Sequence, residues 1–550
     1  MRIPGVLARR THSRTLAAVL TIAFVVGLPA ATRKFYDDDP VSRVRDTQNA
    51  SKVQPWEISL TYDSIANLFD TNPAPAPVRA DDVNTIDEVP DSSWFVNRTI
   101  RTPEEMTRGV DEDTGPAPGQ WTVRTGKGNG VSPGFTIVDS RGKRYFVKFD
   151  PPDWNELATG AEVVVTRLYH ALGYYVPQTN VAFLRRQDLV LDPAATTTGM
   201  DGKKRRMRES DIESNLRRAA RMPDGRYRAI VSEALPGQPL GGYKYVGTRP
   251  DDPNDVIPHE NRRSLRSLRV FGAWVDHRDA KAINSLDTLI QEGDRAYVRH
   301  HLLDFGSTLG SAGIGPRDAR DSFEYIVDMP ATRRALPAFG FAPRPWMSVD
   351  YPDYALIGRF ESAAFDPDAW KPRVPNPAFL RARADDLFWG ARRLRTIMTD
   401  EMIRAAVKAG QYTNPQAADA IARTLIERRD KIVRAWLAGV NPVVDVALAQ
   451  DGRLTFGNAA VDARVAPAPS SYVATWSRFD NTSSAATAIG ETRGASPMTP
   501  PAGLPSAVRD FVQVDIRAEG GADPSWAQPV HAWFTRTADG WKLVGFERMP

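Results

Sequence analysis

Period-two alternation marks the first regular structure along the chain. Phe135–Val138 (FTIV) and Tyr145–Phe149 (YFVKF) read as strands joined across Asp139–Gly142 (DSRG), a hairpin turn. In the second strand Tyr145, Val147 and Phe149 share one face, which leaves Phe146 and Lys148 on the other. The period then changes. From Asn155, a candidate N-cap, to Leu172, apolar residues at 157, 161, 164, 165, 168 and 172 predict a helix that Gly173 stops. Val181–Leu184 and Ala229–Val231 predict further strands. Glu260–Val275 carries Leu265, Leu268, Phe271 and Val275 along one side and predicts a continuous helix. Thr288–Ile290 and Tyr297–Leu303 predict a strand pair.

Residues 377–440 read as mainly helical, with one helix opening at Asn414-Pro415, a cap followed by proline at the first position. After Asn441-Pro442 the period returns to two. Strands are expected at Val444–Val446, Arg453–Phe456, Tyr472–Trp476, Phe511–Ile516, Trp533–Thr535 and Trp541–Val544, with Asp451-Gly452 and Asp539-Gly540 as turns. This predicts a small all-β, sandwich-like domain. Upstream, residues 35–120 are rich in Asp, Asn and Pro with short apolar pieces such as Trp56–Leu60 and Ser93–Val96. They predict an extended segment that wraps a domain.

Composition changes this picture in three places. The chain of 550 residues has room for two to four domains at about 100–200 residues each. With 42% hydrophobic and 25% charged residues it is an ordinary globular composition. Lys plus Arg exceeds Asp plus Glu by 71 − 67 = 4, which implies no global field for nucleic acid. Cysteine is absent, which excludes disulfides, thiolate zinc sites, iron–sulfur clusters and cysteine nucleophiles. At the N-terminus Arg2, Arg9, Arg10 and Arg14 precede an uncharged run, Thr15–Thr32. A basic head before an apolar core is an export signal or an uncleaved anchor. Either places the bulk of the chain outside the cytoplasm and brings membrane contact through that segment. Residues 201–228 hold ten Lys/Arg against five Asp/Glu, a local excess read as a solvated face.

The most specific string is His277-Arg278-Asp279-Ala280-Lys281-Ala282-Ile283-Asn284, followed twenty positions later by Asp304-Phe305-Gly306. Upstream stand Gly126, Gly128 and Gly130, then Lys148 on a strand, Glu162 on a helix and Ile230–Glu233. Together these resemble the glycine loop, strand lysine, helix glutamate, hinge, catalytic loop and metal-binding motif of the protein-kinase superfamily. The glycine loop is not a G-x-G-x-x-G and no Ala-Pro-Glu follows Asp304-Phe305-Gly306. The resemblance is therefore to atypical branches: the spore-coat-protein-H-type, HipA-type and secretory-pathway kinases. It covers about residues 120–310, with a divergent helical remainder to about 440.

The resemblance implies an α+β, bilobal kinase-like fold followed by the β domain. The expected organisation is 1–32 signal or anchor, 33–120 wrapping segment, 121–235 N-lobe, 236–441 helical C-lobe and 442–550 accessory domain. It implies ATP and Mg²⁺ as cofactors and an unidentified hydroxyl acceptor. Asp279 would accept the hydrogen bond of the incoming hydroxyl, and Lys281 would face the transferring phosphate. Asn284 and Asp304 would supply hard oxygen ligands to Mg²⁺. Lys148 would contact phosphate and pair with Glu162, with Glu156 as the second choice, and Gly126, Gly128 and Gly130 would let backbone approach phosphate. Ile230–Glu233 would read adenine through backbone groups. Two other readings stay open: an exported pseudokinase scaffold that binds a partner or glycan, and nucleotidyl transfer on the same fold.

Two further strings are set aside. Gly130-Val131-Ser132-Pro133-Gly134 matches the G-x-S-x-G elbow of hydrolases, which needs a strand before it and a helix after, whereas a hairpin is expected here. His300-His301 has no metal-ligand spacing among the seven histidines and is read as packing.

Overall fold

The computed structural model describes residues 33–68, 78–127, 132–199, 202–338 and 343–548. The export-like segment, Gly128 and Gly130 lie outside the described residues. The architecture is mixed α+β with several sheets. Among the described residues no helix is long and apolar enough to cross a membrane.

Seven strands form the first large sheet: β1 (Trp121–Gly126), β2 (Gly134–Val138), β3 (Arg144–Phe149), β4 (Thr179–Leu184), β5 (Leu189–Thr198), β6 (Lys204–Arg206) and β7 (Tyr227–Glu233), in the order β4-β7-β3-β2-β1-β5-β6. All neighbours are antiparallel except β1 and β5. β2 and β3 are the hairpin read from the sequence, and Tyr145, Val147 and Phe149 are buried on one face. With Val123, Ile137 and Val231 they make the sheet's own apolar core. The basic stretch 201–228 supplies β6 and the Glu209–Leu216 helix, where Arg186 and Arg205 pair with Glu213 and Asp211 at 2.5 and 2.7 Å.

The Leu157–Leu172 helix crosses behind this sheet, and its alanines, valines and leucines are buried nearly all round. Asn155 does not cap it. Glu156, at φ 76°, turns the chain into the helix, and the Asp150 carboxylate accepts the N–H groups of Glu156, Ala158 and Thr159 at 2.8–2.9 Å. A buried helix start needs such an acceptor for its orphan donors, and Asp150 reaches more of them than an N-cap side chain does. Gly173, at φ 114°, ends the helix as expected.

The continuous helix expected over 260–275 is instead a 3₁₀ turn (His259–Asn261) and two helices, Arg263–Arg266 and Leu268–Val275. The break serves buried arginines. Arg263 reaches Asp87, Asp385 and Asp386 at 2.8–2.9 Å, and Arg262 reaches Asp255 at 2.9 Å. Apolar residues at helical spacing report burial, not the charges that decide where the helix stops.

A second, smaller sheet has the order β10-β9-β8, from β8 (Gln238–Gly241), β9 (Ser285–Glu292) and β10 (Arg295–Leu302). The β9–β10 hairpin pairs Ser285 with Leu302 at its open end and Glu292 with Arg295 at its turn. Farther along, helices Ala384–Ile397, Asp400–Ala409 and Pro415–Trp436 pack with Leu157–Leu172 and Leu268–Val275 around one apolar cluster. The last of them opens as read: Asn414 accepts from Gln416 and Ala417 and proline sits at the first position.

Residues 443–548 hold a hairpin (Val443–Leu448 with Leu454–Asn458) and a five-stranded antiparallel sheet. The hairpin's Val446 and Leu454 share a core with Trp476, Val514 and Phe534 of the sheet. The described part of 33–120 follows other elements by backbone bonds. Ala50 donates to Ala296 at 2.8 Å, Trp56 to Leu240 at 2.9 Å and Val96 to Gly173 at 2.9 Å. It also carries two helices, Leu60–Leu68 and Pro103–Arg108.

Candidate active site

A cavity of about 450 Å³ lies between the seven-stranded sheet and the open end of the β9–β10 hairpin. Gly126, Lys148, Glu162, Glu233 and Asp304 line it together with apolar residues such as Phe146, Leu286 and Leu303. Five of the positions singled out in the sequence therefore meet around one space. They come from β1, β3, the Leu157–Leu172 helix, β7 and the residue pair after β10.

Lys148 is the centre of the arrangement. Its Nζ lies 2.9 Å from Asp304 Oδ1 and 3.3 Å from both Glu162 oxygens. Strand alternation sends Lys148 to the face opposite the sheet's core, where the helix presents Glu162. Burial works against the ammonium, but Asp304 and Glu162 outweigh it and raise the lysine's pKa. Lys148 in turn holds the Asp304 carboxyl below its usual range, whereas burial pushes Glu162 up. Glu156, the second choice of partner, is elsewhere: its Oε2 accepts from the Thr413 N–H at 2.8 Å.

Asp279, Lys281 and Asn284 form a second cluster, beside the cavity rather than among its lining residues. Lys281 Nζ is 2.5 Å from Asp279 Oδ1, and Asn284 Nδ2 donates to Asp279 Oδ2 at 3.0 Å and to the Asp279 carbonyl at 2.8 Å. Burial opposes the Asp279 carboxylate, yet Lys281 and Asn284 hold its pKa below the ordinary value. The hairpin joins the clusters. Because Ser285 pairs with Leu302, the loop before β9 and the segment after β10 leave the same end, and Leu303 donates its N–H to the Asn284 carbonyl at 2.9 Å.

Asp304 itself takes a left-handed backbone, φ 58°. Phe305, buried next to it, stacks on Tyr169 at 4.9 Å between ring centroids, and the Tyr169 hydroxyl meets His277 Nδ1 at 3.2 Å. His277 is thus a packing residue of the loop, with its pKa lowered by burial to about 4.

For Ile230–Glu233 the strand order limits which backbone donors face the cavity. β7 lies between β3 and β4, so its backbone is paired on both sides. Glu233 donates its N–H to the Gln178 carbonyl and Ala234 to the Arg144 carbonyl, both at 2.9 Å. Those two N–H groups are therefore spent in strand pairing, and Leu235, the next residue, lines the cavity. The Glu233 side chain pairs with Lys143 at 3.1 Å.

A divalent cation fits the residues present in a particular way. Among the described residues no group of three or more His, Cys, Asp or Glu forms a metal cluster. Asn284 and Asp304 offer one amide and one carboxylate, a sparse set of hard oxygens. Mg²⁺ takes such a set when phosphate oxygens and water complete its shell. His300 and His301, as expected, are packing residues: His300 pairs with Asp287 at 2.7 Å and stacks on Trp94, and His301 meets Thr288 Oγ1 at 3.1 Å.

Two contributors were not singled out from the sequence. Asp150 fixes the start of the helix that carries Glu162, and its signal was an acidic residue ahead of a helical pattern. Lys127 lines the cavity beside Gly126, with nothing in the spacing to mark it.

No family model matches the chain, and no curated protein matches it. Among solved structures it is similar to the Helicobacter pylori proinflammatory kinase CtkA, at 11% identity over 55% of this chain and 94% of that one, with a TM-score of 0.28. It is also similar to the Golgi casein kinase, at 10% identity over 72% of this chain and 95% of that one, TM-score 0.29. The same kinase with Mn/ADP bound gives 11% identity over 72% and 94%, TM-score 0.30. Overlap this loose assigns nothing by itself.

Proposed function

We propose that the chain is a Mg·ATP-dependent phosphotransferase of atypical kinase-like fold that acts on a hydroxyl acceptor. The observation that carries this reading is Lys148, held at the cavity by Glu162 from a helix and by Asp304 from the segment after β10. One ammonium and two carboxyl groups from distant parts of the chain converge on one open space. Polyphosphate transfer needs that kind of fixed charge more than it needs covalent chemistry.

In this reading the cavity takes ATP, with the base among the apolar side chains near Leu235 and the phosphates toward Lys148. Lys148 is oriented by its two carboxylates and binds phosphate oxygen. Asn284 and Asp304 would hold Mg²⁺, which when bound neutralises charge on the phosphates. Asp279 accepts the hydrogen bond of the acceptor hydroxyl and takes up its proton as the new bond to the γ-phosphorus forms and the bond to the departing ADP oxygen breaks. Lys281, 2.5 Å from Asp279, faces the charge that develops there. Residues 121–235 and 236–441 would be the two lobes, 442–550 an accessory β domain, and the N-terminal segment an export signal or anchor.

ATP turnover by the full chain with Mg²⁺ tests this, with phosphate release to water as the default transfer. Turnover that disappears in Asp279→Ala supports it. Turnover equal in wild type and Asp279→Ala contradicts it and favours the scaffold reading.

A further inference from the structure

Two lysines line the cavity, and they differ in their commitments. Lys148 is held by Glu162 and Asp304, whereas the Lys127 amine makes no hydrogen bond or ion pair to another described residue. Strand register sets the two side by side. Lys127 donates its N–H to the Gly134 carbonyl at 3.1 Å, and Gly134 is the cross-strand partner of Lys148. Lys127, one residue past β1, therefore continues the row of Gly134 on β2 and Lys148 on β3. Members of such a row point to the same face, and two strand spacings separate the outer ones by about 10 Å.

The residue between the lysines has no side chain. A Cβ built at Gly134 would lie 2.2 Å from the Val147 carbonyl oxygen, so backbone packing admits only glycine there. The result is that no side chain from β2 stands between the two lysines that line the cavity. Lys127 is half-buried, and burial together with the neighbouring Lys148 charge lowers its pKa. A cation without a partner among the described residues gains most from an anion with several oxygens, because Lys148 has its charge already balanced by carboxylates.

We propose that Lys127 is a phosphate-contact residue, which binds the outer phosphates of a nucleoside triphosphate and separates triphosphate from monophosphate ligands. This deepens the nucleotide reading of the cavity and rests on it. No covalent step is involved. The specificity comes from one charge-assisted contact that a monophosphate is too short to make.

The test is calorimetric titration of the full chain with ATP, AMP and inorganic tripolyphosphate, each with Mg²⁺, in wild type, Lys127→Ala and Lys127→Arg. Lys127→Ala is expected to lose about tenfold or more in affinity for ATP and tripolyphosphate, equivalent to about 1.4 kcal/mol. AMP affinity should stay within about twofold, and Lys127→Arg should recover most of the ATP affinity. An unchanged ATP affinity in Lys127→Ala overturns the proposal, and so does an equal loss for ATP and AMP, which would mark a structural role. Wild type that binds tripolyphosphate but neither nucleotide overturns the nucleotide reading while leaving Lys127 as an anion contact. Wild type that binds none of the three overturns both.

Discussion

Leu303 donates its backbone N–H to the carbonyl of Asn284 at 2.9 Å, one step beyond the Ser285–Leu302 pair at the open end of the β9–β10 hairpin. Nineteen positions of sequence thereby collapse to one hydrogen bond, and the loop of Asp279 is set beside Asp304 by strand register rather than by loop packing. A rigid two-stranded element is a better platform for paired functional groups than a free loop.

Asn284 is the member of the loop cluster with two roles in the proposed reading: it orients Asp279 through Nδ2, and its side-chain oxygen would meet a cation. Asn284→Ala should lower both ATP affinity and transfer. Asp279→Ala should lower transfer by about 10²–10⁴-fold and leave ATP affinity within about twofold. Single-turnover transfer and equilibrium binding on the two variants separate these effects.

Glu162 holds Lys148 from the helix side at 3.3 Å. Glu162→Ala leaves Lys148 with Asp304 as its one carboxylate, so the lysine stays charged but is less well aimed. The expected loss of stability is about 1–3 kcal/mol, read from urea unfolding, with a larger proportional loss of transfer than of ATP binding.

Asp150 accepts three N–H groups at the start of the Leu157–Leu172 helix and the Thr159 hydroxyl at 2.6 Å. Asp150→Ala should destabilise the chain by about 2–3 kcal/mol, more than a solvent-exposed cap does, because the donors left behind are buried. Asp150→Asn keeps an acceptor and should cost less. Denaturant midpoints of the two variants check the order.

His170 lies in the last turn of that same helix, where the dipole would favour a cation, yet burial and the nearby Arg98 and Arg167 lower its pKa to about 3. The unfolded chain, with an ordinary histidine pKa near 6.5, binds a proton that the folded chain refuses. Stability from this group is therefore full above about pH 6.5 and falls as pH drops toward 3, by about 1.4 kcal/mol per pH unit within that window. Unfolding measured between pH 7 and 4.5 should lose part of its slope in His170→Gln.

Much of this was legible from residue order. The hairpin of β2 and β3, the helix ended by Gly173 and the Asn414-Pro415 start rest on local rules, and they appear where those rules put them. The pairing of Lys148 with Glu162 was expected from the resemblance, and alternation along β3 accounts for the face that Lys148 takes. What stayed hidden depends on partners far along the chain. The capping of a helix by Asp150 required Glu156 in a left-handed turn, and the break near Ser267 follows from arginines that reach Asp87, Asp255 and Asp385. The spent backbone donors of Glu233 and Ala234 are a property of strand order, which no local pattern states.

Thermal unfolding of the full chain with ATP, with and without Mg²⁺, in wild type and Asp304→Ala, tests the central claim most directly. At a ligand concentration about 100 times Kd, binding adds about 2.7 kcal/mol of stability. The account predicts a Mg²⁺-dependent upward shift in wild type that is lost in Asp304→Ala, because the variant removes a cation ligand and half of what holds Lys148. A shift of equal size in both proteins, or none in wild type, would contradict it.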